Sequence, residues 1–212
     1  MRVCNQIVLA SLNPHKFLEF RSLLTQQPEL ELLSIEGLIR NATKLEDVEN
    51  HDTYLENAMA KARLANRGCH YPCLGDDSGL EVAALQGRPG VRTRRYAIAK
   101  AGQSQDQANI EKLLSELQGK PTAERQARFV ATLALVIEGI SISATGVLEG
   151  TIADAPRGTH GFGYDPIFIP KGSNLTLAEM SAGEKNSISH RGRALTELLL
   201  VARAKGIQFA KP

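Results

Sequence analysis

The sequence predicts an α/β protein built on a mixed sheet with flanking helices. Short apolar, strand-like runs alternate with helix-period segments, the order of an α/β sheet. Residues 128–137 are almost continuously apolar, as a strand covered on both faces is. Glu138-Gly139 follows, and then Ile140, Ile142 and Ala144 alternate with Ser141, Ser143 and Thr145. That pattern reads as a two-residue hairpin into a half-exposed antiparallel strand.

Each element follows in order. Residues 7–10 read as a short buried strand, feeding Ser11-Leu12-Asn13-Pro14-His15-Lys16. Asn13 suits a helix N-cap and Pro14 the first helical position. Phe17, Phe20 and Leu24 then mark one helix face. Residues 31–35 form a second strand. Asp52 or Thr53 starts a second helix, with Leu55, Met59 and Ala62 on one face and Gly68 as its stop. A strand follows that ends in Gly75-Asp76-Asp77-Ser78-Gly79. Ser104-Gln105-Asp106-Gln107 resembles a capping box for a helix reaching Leu117, closed by Gly119. The last helix runs over residues 189–205, with Leu195, Leu198, Leu199 and Ala202 inward. Neither repeats nor a long linker interrupt the chain, so residues 1–212 read as a single domain.

Composition narrows the function. The 25 Lys and Arg nearly balance 23 Asp and Glu, for a net charge of +2. A general nucleic-acid polymer binder needs a more basic surface. No apolar run approaches the roughly 20 residues that span a bilayer, and the N-terminus lacks an apolar signal core. Three cysteines are too few for a disulfide framework, so a cytoplasmic setting is expected. Cys69-His70-Tyr71-Pro72-Cys73 lacks the second pair that a zinc site requires. Asn41-Ala42-Thr43 fits a glycosylation sequon, which matters only in a secreted protein.

Four segments carry chemistry, and each also has a plain structural reading. Residues 11–16 place a helix start and a lysine where phosphate binds well, though an ordinary capped helix with a solvated lysine fits too. Asp76-Asp77, with Glu49, Asp52 and Glu56, supplies hard oxygens suited to Mg²⁺ and phosphates, or else a surface turn and helix-start charges. Adjacent strand residues face opposite ways, so only one of the two acids enters a given site. Gly158-Thr159-His160-Gly161-Phe162-Gly163-Tyr164-Asp165-Pro166 offers a ring face for a flat heterocycle, or is a turn with a core Phe. Lys185-Asn186-Ser187-Ile188-Ser189-His190-Arg191-Gly192-Arg193 gathers cations against a helix dipole, where an anionic ligand would account for them. A solvated basic turn and a hydrogen-bonded structural His190 are the alternatives.

Together these segments resemble the inosine triphosphate pyrophosphatase family, which acts on dITP, ITP and XTP. The matching motifs are co-linear: residues 11–16, Leu55-Glu56-Asn57-Ala58 with Lys61, Asp76-Asp77-Ser78-Gly79-Leu80-Glu81-Val82, and Gly87-Arg88-Pro89-Gly90-Val91 with Arg95-Tyr96. Gly161 to Pro166 and Ala178-Glu179-Met180 through Leu195 complete the set. The family usually has Thr-Gly where this chain has Ser11-Leu12, and often Gly at His15. The resemblance implies an elongated mixed sheet with two lobes around a nucleotide cleft, a cytoplasmic homodimer, dependence on Mg²⁺, and hydrolysis of non-standard purine nucleoside triphosphates to monophosphate and pyrophosphate. It assigns Ser11, Leu12, Asn13, Pro14, His15 and Lys16 to the triphosphate loop, and Glu49 and Asp77 to the metal. Asp77 is also implied as general base and Ser78 as a substrate contact. Phe162, Gly163, Tyr164 and Asp165 match the base-binding loop, and Lys185, His190 and Arg191 the residues that hold base and phosphates. Competing readings are a pyrophosphatase of broader scope and a nucleotide-binding regulator without hydrolysis.

Overall fold

The computed structural model describes residues 2–39, 42 and 44–210; Asn41 and Thr43 of the sequon lie outside them. Strands β1 (Arg2–Cys4) and β2 (Gln6–Leu9) lead into helix α1 (Pro14–Leu23). Then come β3 (Glu31–Ser34), a short α2 (Lys44–Asp47), α3 (Tyr54–Cys69) and β4 (Cys73–Val82). Helix α4 (Gln105–Glu116) precedes the hairpin of β5 (Gln126–Ile137) and β6 (Ile140–Ile152). The chain closes with β7 (Phe168–Pro170), α5 (Ala182–Ile188), α6 (His190–Ala204) and β8 (Ile207–Phe209). The main sheet has the order β3-β2-β4-β5-β6-β7, and β1 and β8 form a separate two-stranded sheet. Strand β2 is parallel to β3 and β4, whereas β6 and β7 are antiparallel, so the sheet is mixed as expected.

The chain divides into two compact units. The first comprises Met1–Asp77, Ala131–Gly146 and Arg191–Pro212. Period-two alternation sorts its strand residues onto two faces. Ile7 and Leu9 of β2, Leu74 of β4 and Leu133 and Leu135 of β5 meet Phe20 of α1 and Leu195, Leu198 and Leu199 of α6. Val8 and Cys73 point the other way with Ala65 of α3, and Ala134 and Val136 meet Ala58 and Ala62. The second unit comprises Ser78–Val130 and Val147–His190. Its core joins Leu80 and Val82 of β4, Ile110 and Leu113 of α4, Phe129, Ile152, Phe168 and Leu177.

Local signals placed most elements. Asn13 caps α1, accepting from the His15 and Lys16 N–H groups, and Pro14 opens it. Thr53 caps α3 and Ser104 caps α4, whose Gln107 side chain turns to Glu111 instead of completing the box. Glu138 and Gly139 both adopt positive φ, as a type I′ hairpin requires.

Three expectations change. The segment Gly75–Gly79 does not end its strand: it lies inside the ten-residue β4, and Asp76 is fully buried. The buried face of α3 is Asn57, Ala58, Lys61, Ala62 and Ala65, while Leu55 is exposed. Gly68 does not stop α3, which continues to Cys69 and closes on His70 in the left-handed region. Gly68 is needed for packing, since a Cβ there would stand 2.6 Å from Ile39 Cγ2. The last helix, α6, begins at His190, one residue from its expected start, and the short α5 precedes it across the extended Ser189.

A second glycine sets the spacing of α3 and β4. A Cβ on Gly75 would fall 2.0 Å from the Ala58 carbonyl oxygen, a backbone atom that no rotamer change can move. Gly75→Ala should therefore cost toward the upper end of the about 1–3 kcal/mol typical of overpacking. Gly68→Ala, which meets a side chain, should cost less, and urea unfolding of the two variants checks the order.

Candidate active site

In the first unit, three cations meet four carboxylates around β4. The Lys61 ammonium lies 2.6 Å from Glu49 Oε1 and 3.2 Å from Asp77 Oδ1, and donates to the Asp76 carbonyl oxygen at 2.5 Å. Asn57, one helical turn earlier, donates to Asp77 Oδ2 at 3.1 Å and also bonds the backbone of His51. On the other face, Asp76 Oδ2 takes Lys16 at 2.6 Å and Arg191 at 3.4 Å, and Arg191 reaches Glu19 at 3.0 Å. Strand alternation thus directs Asp76 to α1 and α6, and Asp77 to α3. Both acids are used, on separate faces.

Burial and neighbours set the two acids apart. Although burial opposes its charge, Asp76 is held well below the ordinary carboxylate range by Lys16, Arg191 and Lys61. Burial pushes Asp77 up, and Lys61 and Lys16 do not offset it, because Glu49 repels from across the shared ammonium. Burial also works against Lys61, but Asp77, Glu49 and Asp76 outweigh it and raise its pKa. Burial dominates at Lys16 and lowers its pKa despite Asp76.

The helix start of α1 is less open than its sequence suggests. The Asn13 carboxamide oxygen occupies the His15 and Lys16 N–H groups at 2.9 and 3.3 Å, and Ser11 Oγ accepts from the Asn13 N–H. Pro14 and His15 are exposed, and Leu12 packs against the core behind β2. Lys16 is not a solvated lysine, since Asp76 holds it.

Ser78, half-buried, opens the second unit's part of β4. This unit also carries the glycine-rich loop. Asp165 Oδ2 accepts from the Phe162 N–H at 2.9 Å and from Lys185 Nζ at 2.6 Å. Lys185 Nζ lies 5.0 Å from the centre of the half-buried Phe162 ring. Tyr164 is buried and its hydroxyl donates to the Thr93 carbonyl at 3.0 Å. Tyr164 and Asp165 therefore build the loop from within, while Phe162 and Lys185 cap it. His190 is buried, with its ring stacked on Phe129 at 4.8 Å between centroids. Lys185 and Arg191 are both buried in ion pairs, so the reading of residues 185–193 as a solvated basic turn fails.

The sequence reading gave no role to Lys61, Asn57, Glu19 or Asp106. The first two had a signal: polar residues at i and i+4 inside the small-residue stripe Ala58, Ala62, Ala65. Glu19 is 172 residues from its partner Arg191, and no local pattern connects them.

The chemistry of the donor set fits a divalent cation. Asp77 and Glu49 are hard oxygen donors that converge on one cationic group, and Mg²⁺ takes one or two carboxylates plus phosphates. Asp76 Oδ1 is buried without a hydrogen-bond partner among the described residues. Those residues hold no group of three or more His, Cys, Asp or Glu that would make an all-protein metal cage. Cys69 and Cys73 are free thiols with sulfurs 3.5 Å apart.

The chain is similar to known proteins along most of its length. The model of the Ham1 family matches residues 7–201. A dITP/XTP pyrophosphatase of Christiangramia forsetii is 45% identical over 195 residues, 92% of this chain and 97% of that protein. One from Bacillus subtilis is 42% identical over 199 residues, covering 93% and 97%. A HAM1 protein structure from Coxiella burnetii superposes with a TM-score of 0.76 at 39% identity, covering 94% of this chain and 98% of that one.

Lys61 should be the group whose loss is felt most widely. Lys61→Met leaves Asp77 and Glu49 without their shared cation, and should cost about 3–5 kcal/mol in urea unfolding. The Asp77 carboxyl should titrate still higher in that variant, as followed by carbonyl NMR.

Proposed function

The chain belongs to the Ham1 family, and from that premise we propose that it hydrolyses non-standard purine nucleoside triphosphates (dITP, ITP, XTP and dXTP) to monophosphate and pyrophosphate. The observation that carries this reading is Asp77: a carboxylate raised by burial, oriented by Asn57 and Lys61 beside a second carboxylate. A raised carboxyl is better matched to general-base work near neutral pH than an ordinary aspartate. The names of the relatives from Christiangramia forsetii and Bacillus subtilis supply the substrate class.

Asp77 takes a proton from a water whose oxygen bonds to the α-phosphorus. The bond from that phosphorus to the α–β bridging oxygen breaks, and the electron pair leaves with pyrophosphate. Asp77 and Glu49 would hold Mg²⁺, which would supply charge neutralisation on the leaving group. Residues Ser11 to Lys16 bind the phosphates, which compete with the Asn13 carboxamide for the first-turn N–H groups. Ser78 contacts substrate, and His190 and Arg191 support the base and phosphate ends. Phe162 stacks on the base within the loop of Gly163, Tyr164 and Asp165, and Lys185 donates to a 6-oxo group. Adenine would set an amino donor against that ammonium, a mismatch that discriminates strongly.

No helix of the described residues is long and apolar enough to cross a membrane. A cytoplasmic homodimer, as the family resemblance implies, belongs to the same proposal; light scattering should give about twice the 23.0 kDa chain mass.

With Mg²⁺ present, dITP and XTP should release pyrophosphate much faster than dATP does; release of orthophosphate would overturn the reaction class. Asp77→Asn should lower kcat by about 10²–10⁴-fold, the range of a lost general base. Because the base must be deprotonated, kcat should fall as pH drops through the Asp77 pKa. An acid limb that persists unchanged in Asp77→Asn would remove Asp77 from the role.

A further inference from the structure

We propose that Asp106, in the first turn of α4, is a positioning residue that holds the Phe162–Gly163 segment in place for the base. The proposal rests on the reading that Phe162 takes the purine. Asp106 Oδ2 accepts from the Gly163 N–H at 2.7 Å, across 57 residues of sequence. The preceding N–H, that of Phe162, goes to Asp165 Oδ2 at 2.9 Å. Two successive amides flanking the stacking ring are thus held by two carboxylates, one inside the loop and one from α4. Hydrogen bonds to a charged acceptor are shorter and stronger than neutral ones. An acid in a helix's first turn is favourable to the dipole by itself, but that role needs no partner, and here the carboxylate reaches out of its helix to a backbone amide.

Helix α4 is a firm base for such a hold. Asn109, one turn beyond Asp106, is buried, accepts from the Ala97 N–H at 2.8 Å, and donates to the carbonyls of Thr93 and Arg94 at 3.3 and 3.1 Å. Thr93 also receives the Tyr164 hydroxyl. The loop is therefore tied to this assembly twice: at Tyr164 through Thr93, and at Gly163 through Asp106. Gly163 sits at φ +63°, a conformation that side-chain-bearing residues rarely adopt, so its amide direction depends on outside contacts. Removing Asp106 leaves the Tyr164 tie and the Asp165–Lys185 ion pair in place. The loop stays folded, but the Gly163 side of the Phe162 ring is released.

That geometry separates binding from chemistry. Asp106→Ala should raise KM for dITP about tenfold, the order expected for one lost positioning hydrogen bond, with kcat within about twofold. Asp106→Asn keeps an acceptor and should bring KM back to within about threefold of the parent. Amide exchange supplies a readout independent of turnover: in Asp106→Ala the Gly163 N–H should exchange faster while that of Phe162 stays protected by Asp165. Phe162→Ala, run alongside, tests the underlying reading. If Phe162→Ala raises KM and Asp106→Ala does not, the proposal falls and the base-binding reading stands. If neither raises KM, that reading fails and takes the proposal with it. A fall in kcat alone, or an Asn variant as impaired as the Ala variant, also overturns the proposal.

Discussion

The structure depends on a buried ammonium. Lys61 brings one positive charge to two carboxylates and a main-chain carbonyl at the middle of β4. Charges taken out of water cost several kcal/mol each unless paired and hydrogen-bonded. Here none is paired alone: Lys61 is shared by Glu49 and Asp77, and Asp76 is shared by Lys16 and Arg191. The arrangement is collective, and the protonation of Lys16, Lys61, Asp76 and Asp77 depends on burial and on the neighbouring charges together. It also explains why two adjacent aspartates differ. Asp76 has two side-chain cations to itself on its face and stays ionised, whereas Asp77 must divide one with Glu49 and is pushed up.

Small residues make that ammonium reachable. Ala58, Ala62 and Ala65 form the face that α3 lays on the sheet, and Gly75 has no side chain to hold the helix away. Packing and electrostatics are therefore the same constraint seen twice. The second unit uses a related device on a smaller scale, where Asp165 accepts from the Phe162 amide and from Lys185 and so joins loop shape to charge placement.

What the sequence made readable was local. Asn13, Thr53 and Ser104 act within three residues of themselves, and the Glu138-Gly139 turn and the alternation after it need no distant partner, so their elements were placed correctly. The acids of β4 were misplaced for the opposite reason. Asp-Asp-Ser-Gly has the composition of a turn, and only cations from α1, α3 and α6 make it tolerable inside a buried strand. The buried face of α3 was misjudged in the same way, since Lys61 and Asn57 look like solvent-facing residues until their partners are known. The site residues came mainly from the order of several motifs along the chain, which carries more information than any one of them. Glu19 and Asp106 belong to no such motif, and their roles arise only from folding.

One further consequence follows from Asp76 and Asp77 being neighbours in a strand. Within the short ladder between β2 and β4, Cys73 lies opposite Val8 and Leu74 opposite Leu9. A slip by one position would turn every β4 side chain to the other face. It would also carry Gly75 away from the α3 backbone and leave one cationic cluster facing a glycine or a serine instead of a carboxylate. The charged centre thus acts as a lock on strand alignment, penalising the misaligned sheet that an apolar strand of this length would tolerate. The same residues that make the interior of β4 costly to fold also ensure that it folds in one alignment.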